Sequence, residues 1–311
     1  MQFGNSGVSL FFVLSGFVIT RILLNSVNSS TYFKTFYVRR ILRIFPLYYF
    51  ALICYYYLPC LLDALFHYPS SFSLHIYYYT YLQNFARTFQ WESSGPLHFW
   101  SLAVEEHFYL LWPAIVYVAY RFKKGNLLYI SGLVGFLSLA LRFYMLSKNY
   151  TIEFFTFTRL DQLVLGGILA ILERENLLKA QYRNVYIASF VVGAVFFMVC
   201  ILLNDFYQDL FKHDALGLLY FGAIALCVIY ENKGMITRFL KLPFIQYLGT
   251  ISYGIYVWHA LALNIVDQYF ITHRILLDFV MVIMLTVIIA SVSYWILEKP
   301  FLNLKRFFSY G

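Results

Sequence analysis

Charge is what this sequence has least of. Asp, Glu, Lys and Arg make up only 12% of the chain, while 61% of it is hydrophobic and the mean hydropathy is +0.69. A soluble domain carries roughly twice that charged share, so water is not the main solvent of this protein. Cysteine is scarce as well. Cys54, Cys60, Cys200 and Cys227 form no CxxC pair and mostly lie in apolar runs, so they read as small hydrophobes and no metal site is expected. There is no Walker loop, no GxSxG elbow and no HExxH, which leaves ATPase, serine-hydrolase and zinc-protease chemistry without an anchor. The start, MQFGNSG, lacks the basic residues of a cleavable signal peptide. Fixed-period repeats, Pro/Gly/Ser linkers and low-complexity tails are also missing, so residues 1–311 read as one membrane domain with no soluble domain appended.

What is present in quantity is apolar sequence. Runs long enough to cross a bilayer fall at residues 7–24, 45–62, 98–120, 127–147, 155–173, 185–203, 214–230, 248–270 and 275–297. A shorter aromatic stretch at 72–85 reads as a half-span or interfacial helix. The expected fold is an all-α, polytopic transmembrane bundle of about nine spans plus this short or re-entrant helix. Lys and Arg orient it. If 72–85 does not cross, sixteen of the basic residues fall in one set of loops, and only Arg87, Lys148, Lys212 and Arg274 fall in the other. That positive-inside bias places the C-terminus in the cytoplasm and the protein in the inner (plasma) membrane. The net charge of +8 and pI near 9.1 then serve anchoring and anionic headgroups, and nucleic acid is not an expected partner.

Ionisable residues at membrane depth are costly, about 2.5–3.5 kcal/mol each on the insertion scale, and are functional candidates for that reason. On a continuous helix His98, Ser101, Glu105, Tyr109 and Trp112 would share one face, a polar stripe that cannot meet lipid. Glu106 points about 100° away from it. Arg142, Arg159 and Asp161 lie in neighbouring spans at similar depth to the two glutamates, so three carboxylates and two guanidinium groups would nearly neutralise one another. For the arginines a structural ion-pair network and a functional role both stand; for Glu105 the polar face favours function. His259 lies in the middle of an apolar run, and Ser252 and Tyr256 share its face, with Tyr253 adding a further hydroxyl. Arg40 and Arg43, spaced i,i+3, can converge on one anion. Positive-inside anchoring explains them equally well.

Six segments taken together carry a resemblance: GVSLFFVLSGFVIT, YVRRILRIFPLYY, LHFWSLAVEEHFYLLWP, TRLDQLVLGGILA, LGTISYGIYVWHA and LEKPF. In this order they resemble the membrane acyltransferase-3 family, over nearly the whole chain. The resemblance implies a membrane-bound enzyme that moves an acyl group, usually acetyl, from cytoplasmic acyl-CoA to hydroxyls of an envelope or secreted glycan. It implies no permanently bound cofactor, with acetyl-CoA or another acyl-CoA as donor substrate and membrane lipid as surroundings. It places the family's RxxR motif, associated with donor binding, on Arg40 and Arg43. WSLxxE falls on Trp100, Ser101, Leu102 and Glu105, the SGF turn on Ser15, Gly16 and Phe17, and SYxxYxxH on Ser252, Tyr253, Tyr256 and His259.

Glu105, His98, Ser101 and His259 are therefore the expected catalytic residues. Trp100, Glu106, Tyr109, Arg159, Asp161, Tyr253 and Tyr256 are expected to contact substrate. Two departures from the family pattern stand out. Members usually begin with a further span in which an Arg is followed eleven residues later by a His, and no such segment precedes GVSLFF; the expectation is a truncated start or a base located elsewhere. His107 stands where Gln is common, and Ser9 where Asp is frequent; His107 reads as a packing residue. The competing expectations are a transporter or flippase of glycans or lipid-linked intermediates, for which buried carboxylates and arginines are also suited, and an inactive truncated relative.

Overall fold

The structure is a computed structural model, and it describes residues 4–57, 72–122, 126–231, 234–270, 272 and 274–310. Cys60, residues 58–62 of the second expected span, and the loop cations Lys123, Lys124 and Lys233 lie outside the described residues. Long apolar segments without water leave the backbone no partner but itself, and the helix satisfies it within one segment. The described residues accordingly form helices and no strand.

The elements are α1 (Gly4–Ser26), α2 (Tyr32–Tyr57), α3 (Phe72–Tyr79), α4 (Gln83–Thr88), α5 (Trp100–Phe122), α6 (Asn126–Ser147), α7 (Leu160–Arg174), α8 (Arg183–Leu202), α9 (Asp205–Ile229), α10 (Met235–Leu240), α11 (Pro243–Thr250), α12 (Ser252–Tyr269), α13 (Ile275–Ser293) and α14 (Lys299–Asn303). Among the described residues, five helices are long and apolar enough to cross a membrane: Ser6–Ser26, Asn126–Ser147, Ala180–Leu202, Asp205–Ile229 and Ile275–Phe307. Helices α2, α5, α7 and α12 occupy the other expected spans.

Three expected spans differ in detail. The run at 248–270 is broken: α11 ends at Thr250 and α12 begins at Ser252. The run at 155–173 opens as a single 3₁₀ turn, Thr156–Thr158, so Arg159 stands at the junction before α7 rather than inside a helix. The run at 214–230 belongs to a helix that starts nine residues earlier, capped by Asn204, whose side chain accepts from the Tyr207 N–H.

The helices divide into two compact units. One comprises Met1–Asn28, Gln83–Trp91 and Trp100–Arg238, the other Ser29–Leu82, Glu92–Phe99 and Phe239–Gly311. In the first, α1 and α7 pack backbone to backbone. A Cβ on Gly16 would strike the Leu163 carbonyl, and one on Gly166 would strike the Val13 carbonyl and the Phe17 N–H. Lipid gives helices no hydrophobic drive toward one another, so close approach through small residues supplies the packing energy instead. Helix α5 joins this pair by hydrogen bonds: Trp112 Nε1 donates to Thr20 Oγ1 at 2.8 Å, and the hydroxyls of Tyr109 and Ser15 lie 2.5 Å apart. In the second unit α12 packs on α13, and the C-terminal segment returns along α2. Aliphatic side chains such as Val191, Val195, Met198, Ile288 and Val292 remain outward on α8 and α13, as lipid contact requires.

Candidate active site

The first unit gathers charge. Arg142 of α6 is fully buried and uses all five of its N–H groups. Nη2 donates to Asp161 Oδ2 at 2.6 Å and to the Thr158 carbonyl at 3.1 Å. Nη1 donates to Asp214 Oδ2 and to the Leu210 carbonyl, both at 2.6 Å, and Nε donates to the Thr158 carbonyl at 3.3 Å. Nothing of this guanidinium is left for a ligand, and Arg142 is a structural bracket tying α6, the turn before α7, and α9.

Arg159 is equally buried but differently used. Its Nη1 meets His213 of α9, with Nε2 at 2.6 Å, and lies 3.9 Å from Glu153 Oε1. Its guanidinium stands over the rings of Phe12 and Trp100, at 5.5 and 5.6 Å from their centroids. Nε and Nη2 have no hydrogen-bond partner among the described residues, and neither do Asp161 Oδ1 and Gln162 Oε1. Nε and Nη2 form the edge of a guanidinium that grips two oxygens of one group at once. Glu153 completes the cluster from the loop before α7, 3.4 Å from both Lys212 Nζ and His213 Nε2. Burial opposes its ionisation, yet His213, Arg159 and Lys212 hold its carboxyl well below the usual carboxylate range.

The expected grouping is thus corrected in its partners. Arg142, Arg159 and Asp161 do come together, Arg142 pairing directly with Asp161, and further ion pairs run from Arg142 to Asp214 and from Arg159 to Glu153, two residues that sequence reasoning missed along with His213. Trp100, expected to contact substrate, forms the floor under Arg159. Ser101, Glu105, Tyr109 and Trp112 are all buried on one face of α5, and Glu106 is half-buried on another. His107 packs against Phe85, their ring centroids 5.2 Å apart, and its Nδ1 lies 2.8 Å from Thr156 Oγ1.

His98 does not extend the α5 stripe. Pro96 precedes a 3₁₀ turn, Leu97–Phe99, and α5 begins only at Trp100. The turn puts His98 in the second unit, against α12. Its Nε2 lies 3.2 Å from the Val257 carbonyl, and its ring centroid is 4.6 Å from that of His259. His259 Nδ1 lies 2.6 Å from the Tyr256 carbonyl, and the Tyr256 hydroxyl donates to the His98 carbonyl at 2.5 Å. Tyr55 of α2 closes the group, donating to the Val257 carbonyl at 3.3 Å.

A carbonyl can only accept, so His98 carries a proton on Nε2 and His259 on Nδ1, and in the neutral His259 ring Nε2 is then a lone-pair acceptor. Two adjacent imidazoles are thereby each oriented by a backbone carbonyl of α12. Ser252 is not part of this group. It is exposed, and its hydroxyl turns back to the Gly249 carbonyl at 2.9 Å. Tyr253 is a brace to α2, donating to the Ile44 carbonyl at 3.1 Å. The same unit contains Arg40 and Arg43, one turn apart on α2, with Arg40 5.9 Å from the Phe36 ring.

O-acetyltransferase OatA of Staphylococcus aureus (strain NCTC 8325 / PS 47) is 27% identical over 96% of this chain and 52% of its own length, and OatA of strain COL matches equally. The chain thus spans about half the length of the curated relatives it matches. No solved structure matches it. The sequence profile of the family described as acyltransferase domain matches residues 1–297, and the chain belongs to that family.

Proposed function

We propose that this protein is a multi-pass membrane O-acyltransferase that moves an acyl group, in the first instance acetyl, from acyl-CoA to a hydroxyl of an envelope or secreted glycan. In this reading the chain crosses the inner membrane nine times with its C-terminus in the cytoplasm, where the positive-inside bias puts Arg40 and Arg43 at the donor end. The observation that carries the reading is the His98–His259 pair, two imidazoles each oriented by a backbone carbonyl in the same unit as those arginines.

Acyl transfer from a thioester needs a base. The acceptor hydroxyl gives its proton to an imidazole nitrogen as its oxygen bonds to the acyl carbon. The C–S bond then breaks, and the CoA thiolate takes the proton up again as thiol. His259, the less buried of the two, is the proposed base through Nε2. His98 positions it, and Tyr256 fixes the turn that carries His98. Glu105 and Ser101, buried on α5, are proposed as further catalytic groups. The Nε/Nη2 edge of Arg159, with Asp161 Oδ1, is suited to oxygens of a bound glycan, over the floor of Trp100; Glu106, Tyr109 and Tyr253 are assigned as substrate-binding residues.

The test uses purified protein with labelled acetyl-CoA and polysaccharide acceptors. His259→Ala is expected to lower kcat by about 10²–10⁴, the usual worth of a general base, with the protein still inserted. Wild-type transfer by that variant would remove His259 from the chemistry. The buried charges of the first unit also suit a proton-coupled carrier; labelled glycan crossing vesicles without becoming acetylated would favour that second reading.

A further inference from the structure

Outside the buried cluster, the first unit carries three aromatic side chains that the mechanism does not use. Phe89 and Trp91 follow α4, and Tyr150 follows α6. Both helices end in the same way. A left-handed residue, Gln90 at φ 57° and Asn149 at φ 59°, turns the chain back. The next N–H then reaches five residues back, Trp91 to the Ala86 carbonyl at 2.8 Å and Tyr150 to the Met145 carbonyl at 2.9 Å. The residue after such a turn commonly packs onto its own helix. Trp91 and Tyr150 instead remain 47% and 49% exposed. Phe89 joins them, its ring centroid 5.7 Å from that of Trp91 and 6.4 Å from that of Tyr150. The three rings form a shelf, flanked along the chain by the exposed Gln90, Lys148, Asn149 and Thr151.

The shelf is mounted on the segment that carries Arg159. Asn84 Nδ2 donates to the Phe154 carbonyl at 3.3 Å and to Thr156 Oγ1 at 2.7 Å. The rings of Phe85 and Phe89 stand edge-on to Phe155, at 5.4 and 5.5 Å. Phe154 in turn packs on Trp100, the floor under Arg159, at 5.6 Å. Residues 150–159 thus offer Tyr150 to the shelf, and Glu153 and Arg159 to the buried cluster. An aromatic belt at the membrane interface accounts for a Trp or Tyr at a helix end. It does not account for three adjoining rings on left-handed turns, tied by hydrogen bonds to the loop that carries a candidate site. Exposed apolar surface rimmed by polar groups marks a binding surface. A sugar ring matches both parts: its C–H face lies on the electron-rich face of an aromatic ring, and its hydroxyls meet the polar rim.

We propose that Phe89, Trp91 and Tyr150 form a second glycan subsite, holding further sugar units of the strand whose reacting unit is bound at Arg159. The acceptor class is then an oligomeric or polymeric glycan, not a single sugar. This rests on the reading of Arg159 as a glycan-binding residue. In the orientation proposed above, the loops that carry the shelf, with Arg87 and Lys148, lie away from the cytoplasm, where an envelope or secreted glycan is met.

The test measures transfer of labelled acetyl by the full chain in phosphatidylcholine nanodiscs, to two-unit and six-unit oligomers of chitin, cellulose and dextran. Wild type is expected to show a lower KM for the six-unit form of its acceptor than for the two-unit form. Trp91→Ala and Tyr150→Ala are each expected to raise the six-unit KM about three- to tenfold, the worth of one aromatic contact. Their kcat and two-unit KM should stay unchanged, and Trp91→Phe should keep most of the affinity. Tyr129→Ala, which removes an exposed ring of α6 outside the shelf, should change nothing. Arg159→Lys keeps the charge and loses the fork. If it weakens both lengths while the shelf variants weaken neither, the inference falls and the Arg159 reading survives. The converse overturns the Arg159 reading and keeps the shelf. If none of these positions matters, or wild type labels no oligomer, both fall. Shelf variants that weaken both lengths alike act through folding and overturn the inference. Loss of quenching by brominated lipids on Trp91→Phe, with transfer to both lengths unchanged, assigns the shelf to the membrane and overturns it as well.

Discussion

Arg142 Nη2 and Asp161 Oδ2 are 2.6 Å apart, in an ion pair whose arginine is fully buried. The pair sits in a five-bond bracket, and breaking one side leaves charge without compensation. Arg142→Met removes the cation from Asp161 and Asp214 alike, and truncating one partner of a buried pair costs about 3–5 kcal/mol. The expected outcome is a marked fall in the thermal midpoint of the detergent-solubilised protein, partly recovered by Arg142→Met combined with Asp161→Asn. An unchanged midpoint in the single variant would show that the bracket carries no stability.

The α1–α7 crossing makes a second prediction. At Gly16 and Gly166 an added Cβ meets backbone atoms of the facing helix, which cannot swing aside as a side chain can. Gly16→Val and Gly166→Val are expected to abolish monodisperse protein in size-exclusion chromatography. Gly7→Ala is the control on the same helix, since a Cβ there meets nothing within 4 Å. Equal yields from all three would refute close packing at this crossing.

The apolar runs made most helices legible, because a membrane helix declares itself by length and hydropathy alone. The interruptions did not show. A helical period carried from Ser101 back to His98 predicts a shared face, whereas Gly95-Pro96 and the 3₁₀ turn release His98 to the partner helix of Tyr256 and His259. That dipeptide was the available signal. Likewise the period joined 248–250 to 252–270 across Ile251, where the chain breaks. The ion-pair partners were the least readable. Glu153 lies in a loop and Asp214 well inside a helix that begins before its apolar run, and neither position advertises that it faces an arginine. The pairing is a property of three-dimensional packing and leaves no spacing in the sequence.

Glu153 gives a pH prediction with a definite sign. Its folded pKa lies below the ordinary 4.5, because His213, Arg159 and Lys212 outweigh burial. The unfolded chain therefore binds this proton first as pH falls. The stabilisation is fully present above about pH 4.5 and is lost as pH drops through the folded value. Wild type is expected to be more stable than Glu153→Gln at pH 7, with the gap between their thermal midpoints narrowing below pH 4.5. A gap that stays constant from pH 7 to pH 3.5 would show that the carboxylate gains nothing from its three partners.

The hydroxyl of Tyr256 reaches the His98 carbonyl at 2.5 Å, so it holds the backbone of the turn and leaves both imidazole rings to their own partners. Tyr256→Phe removes that one bond, worth about 1 kcal/mol net, and frees the turn to drift from α12. If the His98–His259 geometry serves the transfer step, kcat should fall by roughly five- to tenfold while the KM for the proposed acyl-CoA donor stays near wild type, because the arginines proposed to bind it, Arg40 and Arg43, are untouched. Combining Tyr256→Phe with His259→Ala should then add little to the loss from His259→Ala alone, since residues acting as one unit are not additive. A full additional loss in the double variant would mean that Tyr256 acts on substrate by a route independent of the histidines, and the positioning role assigned to it would be wrong.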